Sequence, residues 1–249
     1  MPEVQEQMPA FTGEFFVPGK SGARIAADHM ERYRFACGFA ESASVLDIAC
    51  GAGYSAPMFI RAGSVSYDGV DLNRELIAYD NQRYGSENVR FFVGDIRTFN
   101  ADRKYDLITC FETIEHVTDY AAALENLFQL IKPGGRLLVS SPNRPVTSST
   151  AKNIGDQPSN RFHVQEFIPD ELATALLAAG FIVPDGELYG QRQRRFHRSW
   201  TLRKLSRLIF GNPNKKKSAV VEPVTNLTPR YFLLIARKAG EPERRVSSE

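Results

Sequence analysis

The chain has 249 residues, 43% hydrophobic and 24% charged, with a formal charge of +2, so it can bury a full core and its charge balance favours no class of partner. No apolar run approaches the roughly 20 residues of a membrane-spanning helix, and the start, "MPEVQEQMPA", is neither basic nor apolar, so no export address and a cytoplasmic location are expected. Three widely spaced cysteines, Cys37, Cys50 and Cys110, give no zinc spacing and suit buried thiols in a reducing compartment.

Residues 1–22 mix Pro, Gln and Glu without periodicity at their start and read as an N-terminal arm or lid. Over residues 23–39, "ARIAADHMERYRFACGF", apolar positions recur at helical spacing. A strand follows in "VLDIACGAGYS" (45–55) and stops on two glycines one residue apart. Four more strand-like runs come next: "VSYDGVD" (65–71), "VRFFVGD" (89–95), "YDLITC" (105–110) and "GRLLVSS" (135–141), with helical-period segments such as 74–84 and 120–131 between them. Strand and helix alternate without hairpin dipeptides, which predicts an α/β fold: a parallel sheet with helices on both faces. A helix over 170–181, capped by Asp170 and stopped by Gly180, precedes two late strands in "VPDGELYGQ" and "RYFLLIARK".

Residues 191–221 hold no acid until after Val221 and many basic residues, and read as a helical insertion between the last two strands. Trp200 shares a face with Arg203, Lys204 and Arg207. That face predicts contact with phosphates or lipid headgroups, hence peripheral membrane contact through 192–217; a solvated helix or a homo-oligomer contact is the plainer alternative. Residues 239–249 read as a disordered polar tail.

Gly51 and Gly53 permit left-handed φ and close approach of a ligand to the main chain at the carboxyl edge of the sheet. "GAGYSA" also fits a dinucleotide fingerprint, but a lone match of that kind is weak. The acids decide between ligands. Asp47, ahead of the glycines, would repel a pyrophosphate yet accept from an ammonium group. Asp71 ends the second strand, where an acid takes both hydroxyls of a ribose. Asp95 ends the third, where a carboxylate accepts from an adenine amine. Three acids with no basic residue near them describe a cationic nucleoside, S-adenosylmethionine.

In the ordered set "VLDIACGAGYS", "GVDLN", "VGDI", "YDLITCFETIEHV" and "LIKPGGRLLVSSPN", spanning residues 45–143, the chain resembles the class I S-adenosylmethionine-dependent methyltransferases. The resemblance implies a Rossmann-like, seven-stranded sheet whose last strand, "RYFLLIARK", runs antiparallel, within a domain at 23–238. It implies that Asp47, Ala49, Gly51 and Gly53 line the methionine end, that Asp71 holds the ribose, and that Leu72 covers the adenine. Asp95 and Ile96 would frame the adenine edge, Phe111 and Glu112 would stand beside the sulfonium, and Arg32 and Tyr33 would meet the cofactor carboxylate. No metal ligand set is assigned, because these acids are better spent on the nucleoside.

Methyl transfer from a sulfonium is an in-line displacement, so an enzyme supplies mostly alignment and exclusion of water. A hydroxyl acceptor needs its proton removed, and histidine is the default base. His116, in "FETIEHV", follows the fourth strand. His163, in "NRFHVQEF", follows a long polar loop over 142–161 that predicts a cover for the site. "SPN", a variable loop and a phrase like "FHVQEF" resemble methyltransferases of bacterial glycan assembly, which implies His163 or His116 as base and a sugar or glycan-precursor hydroxyl, phosphate- or lipid-linked, as acceptor. His29 reads as helix surface, and His197 sits among arginines. "CFET" in place of an "NPPY"-like phrase disfavours methylation of nucleic-acid bases. Two alternatives stand: a methyltransferase for another small metabolite at O or N, and a non-catalytic cofactor-binding protein that docks a partner through its basic insertion.

Overall fold

The computed structural model describes Val17, residues 21–193 and residues 218–240. Most of the basic insertion, with His197 and Trp200, and the end of the tail therefore lie outside the described residues. Five parallel strands come first: β1 (Ser44–Ile48), β2 (Ser66–Asp71), β3 (Val89–Val93), β4 (Tyr105–Phe111) and β5 (Ile131–Pro142). The late strands are β6 (Leu188–Gln191), β7 (Glu222–Pro223) and β8 (Tyr231–Arg237). The sheet order is β3-β2-β1-β4-β5-β8-β6-β7, with β8 antiparallel to both its neighbours. Sequence reasoning expected seven strands; β7 is the addition. It pairs Tyr189 with Pro223 and Gly190 with Glu222 at the sheet edge, where a proline without an N–H interrupts no further ladder.

Among the described residues the helices are α1 (Ala23–Cys37), α2 (Ala56–Arg61), α3 (Arg74–Tyr84), α4 (Tyr120–Leu130), α5 (Arg144–Thr147) and α6 (Pro169–Ala178). Residues alternate across the sheet with period two, which divides the core. Leu46, Ile48, Ile108, Leu137 and Leu234 face α4 and α6. Val45, Tyr67, Leu107, Leu138 and Ile235 face α1, α2 and α3. Asp170 is not the cap of α6. The helix begins at Pro169, and Glu171 accepts from the Ile168 N–H at 3.0 Å, reaching back over the first turn. Gly180, at φ +98°, does end it. Among the described residues no helix is long and apolar enough to cross a membrane.

Three buried carboxylates hold this framework. Asp68 accepts from Arg90, Arg103 and the Tyr105 hydroxyl at 2.6 to 3.0 Å, so guanidinium hydrogen bonds hold it ionised in the sheet. Asp47 is fully buried in β1. One of its oxygens accepts from Tyr33 (3.2 Å) and Thr109 (2.6 Å), and the other from Ser55 (2.6 Å) and Tyr67 (3.0 Å). Burial pushes its pKa up, against the pull of the four hydroxyls. Asp80, on α3, is buried with no hydrogen-bond donor to either oxygen among the described residues. It lies so close under Gly53 (φ +62°) that a Cβ there would stand 2.8 Å from its carboxyl carbon. That contact and the left-handed φ both disfavour a side chain at position 53. Burial first, then the Asp71 charge, push the Asp80 pKa up to about 8.

Asp47→Ala strands four buried hydroxyls and is expected to cost more than about 3 kcal/mol in urea unfolding. Asp80 binds its proton more tightly folded than unfolded, so wild-type stability is full near pH 4 and declines as pH rises towards about 8. Asp80→Asn is expected to remove that decline and raise the thermal midpoint at alkaline pH by about 2–4 °C, with little effect in acid.

Candidate active site

A cavity of about 940 Å³ opens at the carboxyl ends of β1, β2, β4 and β5. Tyr33, Ala49, Gly51, Asp71, Leu72, Asp95, Ile96, Phe111, Glu112, His116 and His163 line it. Asp47, Gly53 and Arg32 do not.

The first end of the cavity is built on backbone. Ala49 and Gly51 both stand at φ 58°, and Glu112, just past β4, at φ 50°. The left-handed region disfavours alanine and glutamate, so the turns after β1 and β4 both hold strain at the cavity wall. Gly51 N–H donates to Asp71 Oδ2 (3.0 Å) and Asn73 N–H to Oδ1 (2.9 Å), fixing the carboxylate at the tip of β2. Leu72 beside it is 69% exposed, an apolar surface turned into the opening. Asp95 is bridged on both oxygens by Arg97 at 2.5 to 3.2 Å, which holds its carboxyl below the usual range. A nucleoside amine would have to share that carboxylate with a guanidinium.

Arg32 lies behind this wall. Its guanidinium donates to Gln191 (2.7 Å), stands 3.8 Å from Glu112 and crosses the Tyr231 ring at 5.5 Å. It therefore acts on the cavity through Glu112, whose other partner is the Ser140 hydroxyl at 2.7 Å. Tyr33 spends its hydroxyl on Asp47 and presents its ring, edge-on to Tyr54 (5.4 Å) and Phe111 (5.2 Å), as an aromatic wall. His29 is not on the helix surface. It lines the cavity with Nδ1 3.3 Å from the Tyr54 hydroxyl, and burial, with the Arg32 charge, lowers its pKa well below the usual value. Asp47 itself accepts from hydroxyls under the wall and does not line the cavity.

The second end is built on the turn Ile114–His116 and the segment that follows α5. Val164 N–H donates to the Glu115 carbonyl (2.9 Å), and the Gln165 amide donates to the Ile114 and Val117 carbonyls (3.0 and 2.9 Å). These bonds strap residues 162–167 onto the turn and bring His116 and His163 together, ring centroids 4.9 Å apart and edge-on. His116 Nδ1 lies 2.9 Å from the Phe162 carbonyl, and His163 Nδ1 2.7 Å from Glu166 Oε1. A carbonyl and a carboxylate only accept, so each ring carries hydrogen on Nδ1 and its lone pair on Nε2. Glu166 is 1% exposed, also takes the Thr147 hydroxyl, and is held below the usual carboxylate range by those bonds against its burial. Arg144 ties the segment down, donating to the Glu166 carbonyl (2.7 Å) and pairing with Glu171 (2.6 Å). Sequence reasoning missed Tyr54, Glu115, Thr147 and Glu166. Tyr54 and Glu115 stood inside motifs already singled out, "GAGYS" and "FETIEHV".

Residues 22–183 match a family described as a methyltransferase domain. A "Probable S-adenosylmethionine-dependent methyltransferase" of Mycolicibacterium smegmatis is 34% identical over 142 residues, 57% of this chain and 52% of that one. A ubiquinone biosynthesis O-methyltransferase of Coxiella burnetii is 36% identical over 103 residues, 40% of this chain and 44% of that one. The chain spans about half the length of these curated relatives. Among solved structures, the N-methyltransferase NodS of Bradyrhizobium japonicum, with bound S-adenosylhomocysteine, has a TM-score of 0.54 at 16% identity, covering 85% of this chain and 87% of that one, a likeness of fold. With its parallel sheet, antiparallel β8, glycine turn and Asp71-tipped second strand, the chain belongs to the class I S-adenosylmethionine-dependent methyltransferases, whose cofactor is S-adenosylmethionine.

Proposed function

We propose that the protein transfers the methyl group of S-adenosylmethionine to a hydroxyl, on a sugar or glycan precursor. The observation that carries this reading is the pair of imidazoles, His116 and His163, facing one cavity with the cofactor end. The cavity lies near the top of the roughly 300–1,000 Å³ range of small-molecule sites, which suits cofactor and acceptor together. Thr118, Thr147, Ser159 and Asn160 line the acceptor side with hydroxyl and amide groups, the chemistry that recognises a polyol. Similarity to a ubiquinone biosynthesis O-methyltransferase supports oxygen as the methylated atom.

In this reading the acceptor proton passes to an imidazole Nε2 as the hydroxyl oxygen forms its bond to the methyl carbon. The C–S bond breaks with its electron pair on sulfur, and the sulfonium becomes a neutral thioether. Glu166 orients His163 and stabilises the imidazolium. Gly51, Asp71 and Leu72 hold the nucleoside, with Phe111 and Glu112 beside the sulfonium. Ser21, just ahead of α1, and Ile25 on it also line the cavity.

Asp71→Ala is expected to weaken S-adenosylmethionine binding at least about tenfold by calorimetry. His163→Asn and His116→Asn, assayed with labelled cofactor against sugars, nucleotide sugars and small alcohols, are expected to bind cofactor normally while at least one loses about 100- to 10,000-fold in kcat. Normal transfer by both variants would remove the imidazole base, and cofactor binding without transfer to any acceptor would remove the enzyme reading.

A further inference from the structure

Glu115 has no task in this scheme. Its side chain is fully buried, it lines the cavity, and neither carboxylate oxygen has a hydrogen-bond donor among the described residues. Its carbonyl is bonded to Val164, so the turn cannot swing the carboxylate into water without releasing the strapped segment. A carboxylate held in that position calls for a cation.

The neighbours are suited to hold one. A donor atom from each of Glu115, His116 and His163 lies within 4.8 Å of those of the other two. Both rings place Nδ1 against an acceptor, Phe162 O and Glu166 Oε1, which makes Nε2 the nitrogen that an ion would take. That is the outer-shell arrangement of metal-binding histidines, in which the second ring nitrogen donates to a carbonyl or carboxylate and thereby fixes tautomer and orientation. The Asn160 amide donates to His163 Nε2 at 2.7 Å; Asn160 is exposed, and an ion would displace it.

We infer that Glu115, His116 and His163 form a binding site for a divalent transition-metal ion of the zinc type, set at the acceptor end of the cavity. One carboxylate with two imidazoles is a donor set of intermediate softness, matched to zinc, cobalt or iron(II), while magnesium and calcium favour oxygen alone. Three protein ligands leave a coordination position open to the cavity. The consequence for chemistry rests on the methyl-transfer reading. With the ion bound, an acceptor hydroxyl at that position would be acidified as a metal ligand and lose its proton to cavity water, and the imidazoles would serve as ligands in place of the base role they have in the ion-free reading. The alkoxide oxygen then bonds to the methyl carbon as the C–S electron pair returns to sulfur, and no oxidant or reductant is consumed.

The full chain, stripped with a chelator and titrated with Co2+, is expected to take up about one ion with a visible d–d absorption that Zn2+ then abolishes. Glu115→Gln keeps the side-chain volume and is expected to lose Co2+ affinity by more than about 100-fold, and Glu166→Gln by about 10- to 100-fold, while both bind S-adenosylmethionine like wild type. Absence of the absorption, or equal Co2+ affinity in wild type and Glu115→Gln, overturns the site. Full-rate methyl transfer by stripped protein overturns its catalytic role and leaves the imidazole base standing. Co2+ uptake that depends on Glu115, in a protein that methylates no hydroxyl, supports the ion site and removes the acceptor assignment.

Discussion

The constraint on which the rest of the structure depends is the Asp47 carboxylate and its four hydroxyl partners. Taking an anion out of water costs several kcal/mol even after relaxation, and a hydrogen bond to a charged group returns about 1.5–3 kcal/mol. Four such bonds offset the desolvation with little surplus, so the network adds geometry more than stability. Its donors come from four elements: Tyr33 from α1, Ser55 at the start of α2, Tyr67 from β2 and Thr109 from β4. They surround the turn that carries Ala49 and Gly51, whose left-handed backbone needs such over-determination to persist. The turn at this end of the cavity is therefore fastened from four elements at once.

The two ends of the cavity communicate through charge. Glu112 and Glu115 are both carboxylates at the mouth of β4, and Glu166 stands across from them. Arg32 relieves Glu112 from behind, and His163 relieves Glu166, which leaves Glu115 the uncompensated member.

The parallel sheet and its covering helices were legible because period-two and helical spacings are properties of single segments. The parallel strands are covered on both faces, so all five residues of β1 are buried and nothing in "SVLDI" tells which side Asp47 takes. It lies on the Val45 side, under the wall, and expectation placed it in the cavity. His29 and Arg32 posed the same difficulty on α1, three residues apart. Helical spacing puts them on one face but does not say whether that face meets solvent, sheet or ligand, and the structure sends one to the cavity and the other behind it. At six residues, α2 is too short to show a period. Glu115 and Glu166 look like ordinary solvated acids in the sequence. Their meaning arises only when the backbone bonds from Val164 and Gln165 bring segments some fifty positions apart onto one turn.

The strength of the two ends follows from how each is held. The cofactor end rests on strands and on a network buried at every member, so its geometry is shared with any chain that keeps the turn and the Asp71 tip. The acceptor end rests on a loop fastened at a few points: Arg144 to Glu171, Gln165 to the turn, Glu166 to Thr147. Changing the residues between those fastenings would reshape this end of the cavity without touching the Asp47 network. His116 is the exception, because it belongs to the turn itself. Of the two facing imidazoles it is the one that the strand framework, and not the loop, positions.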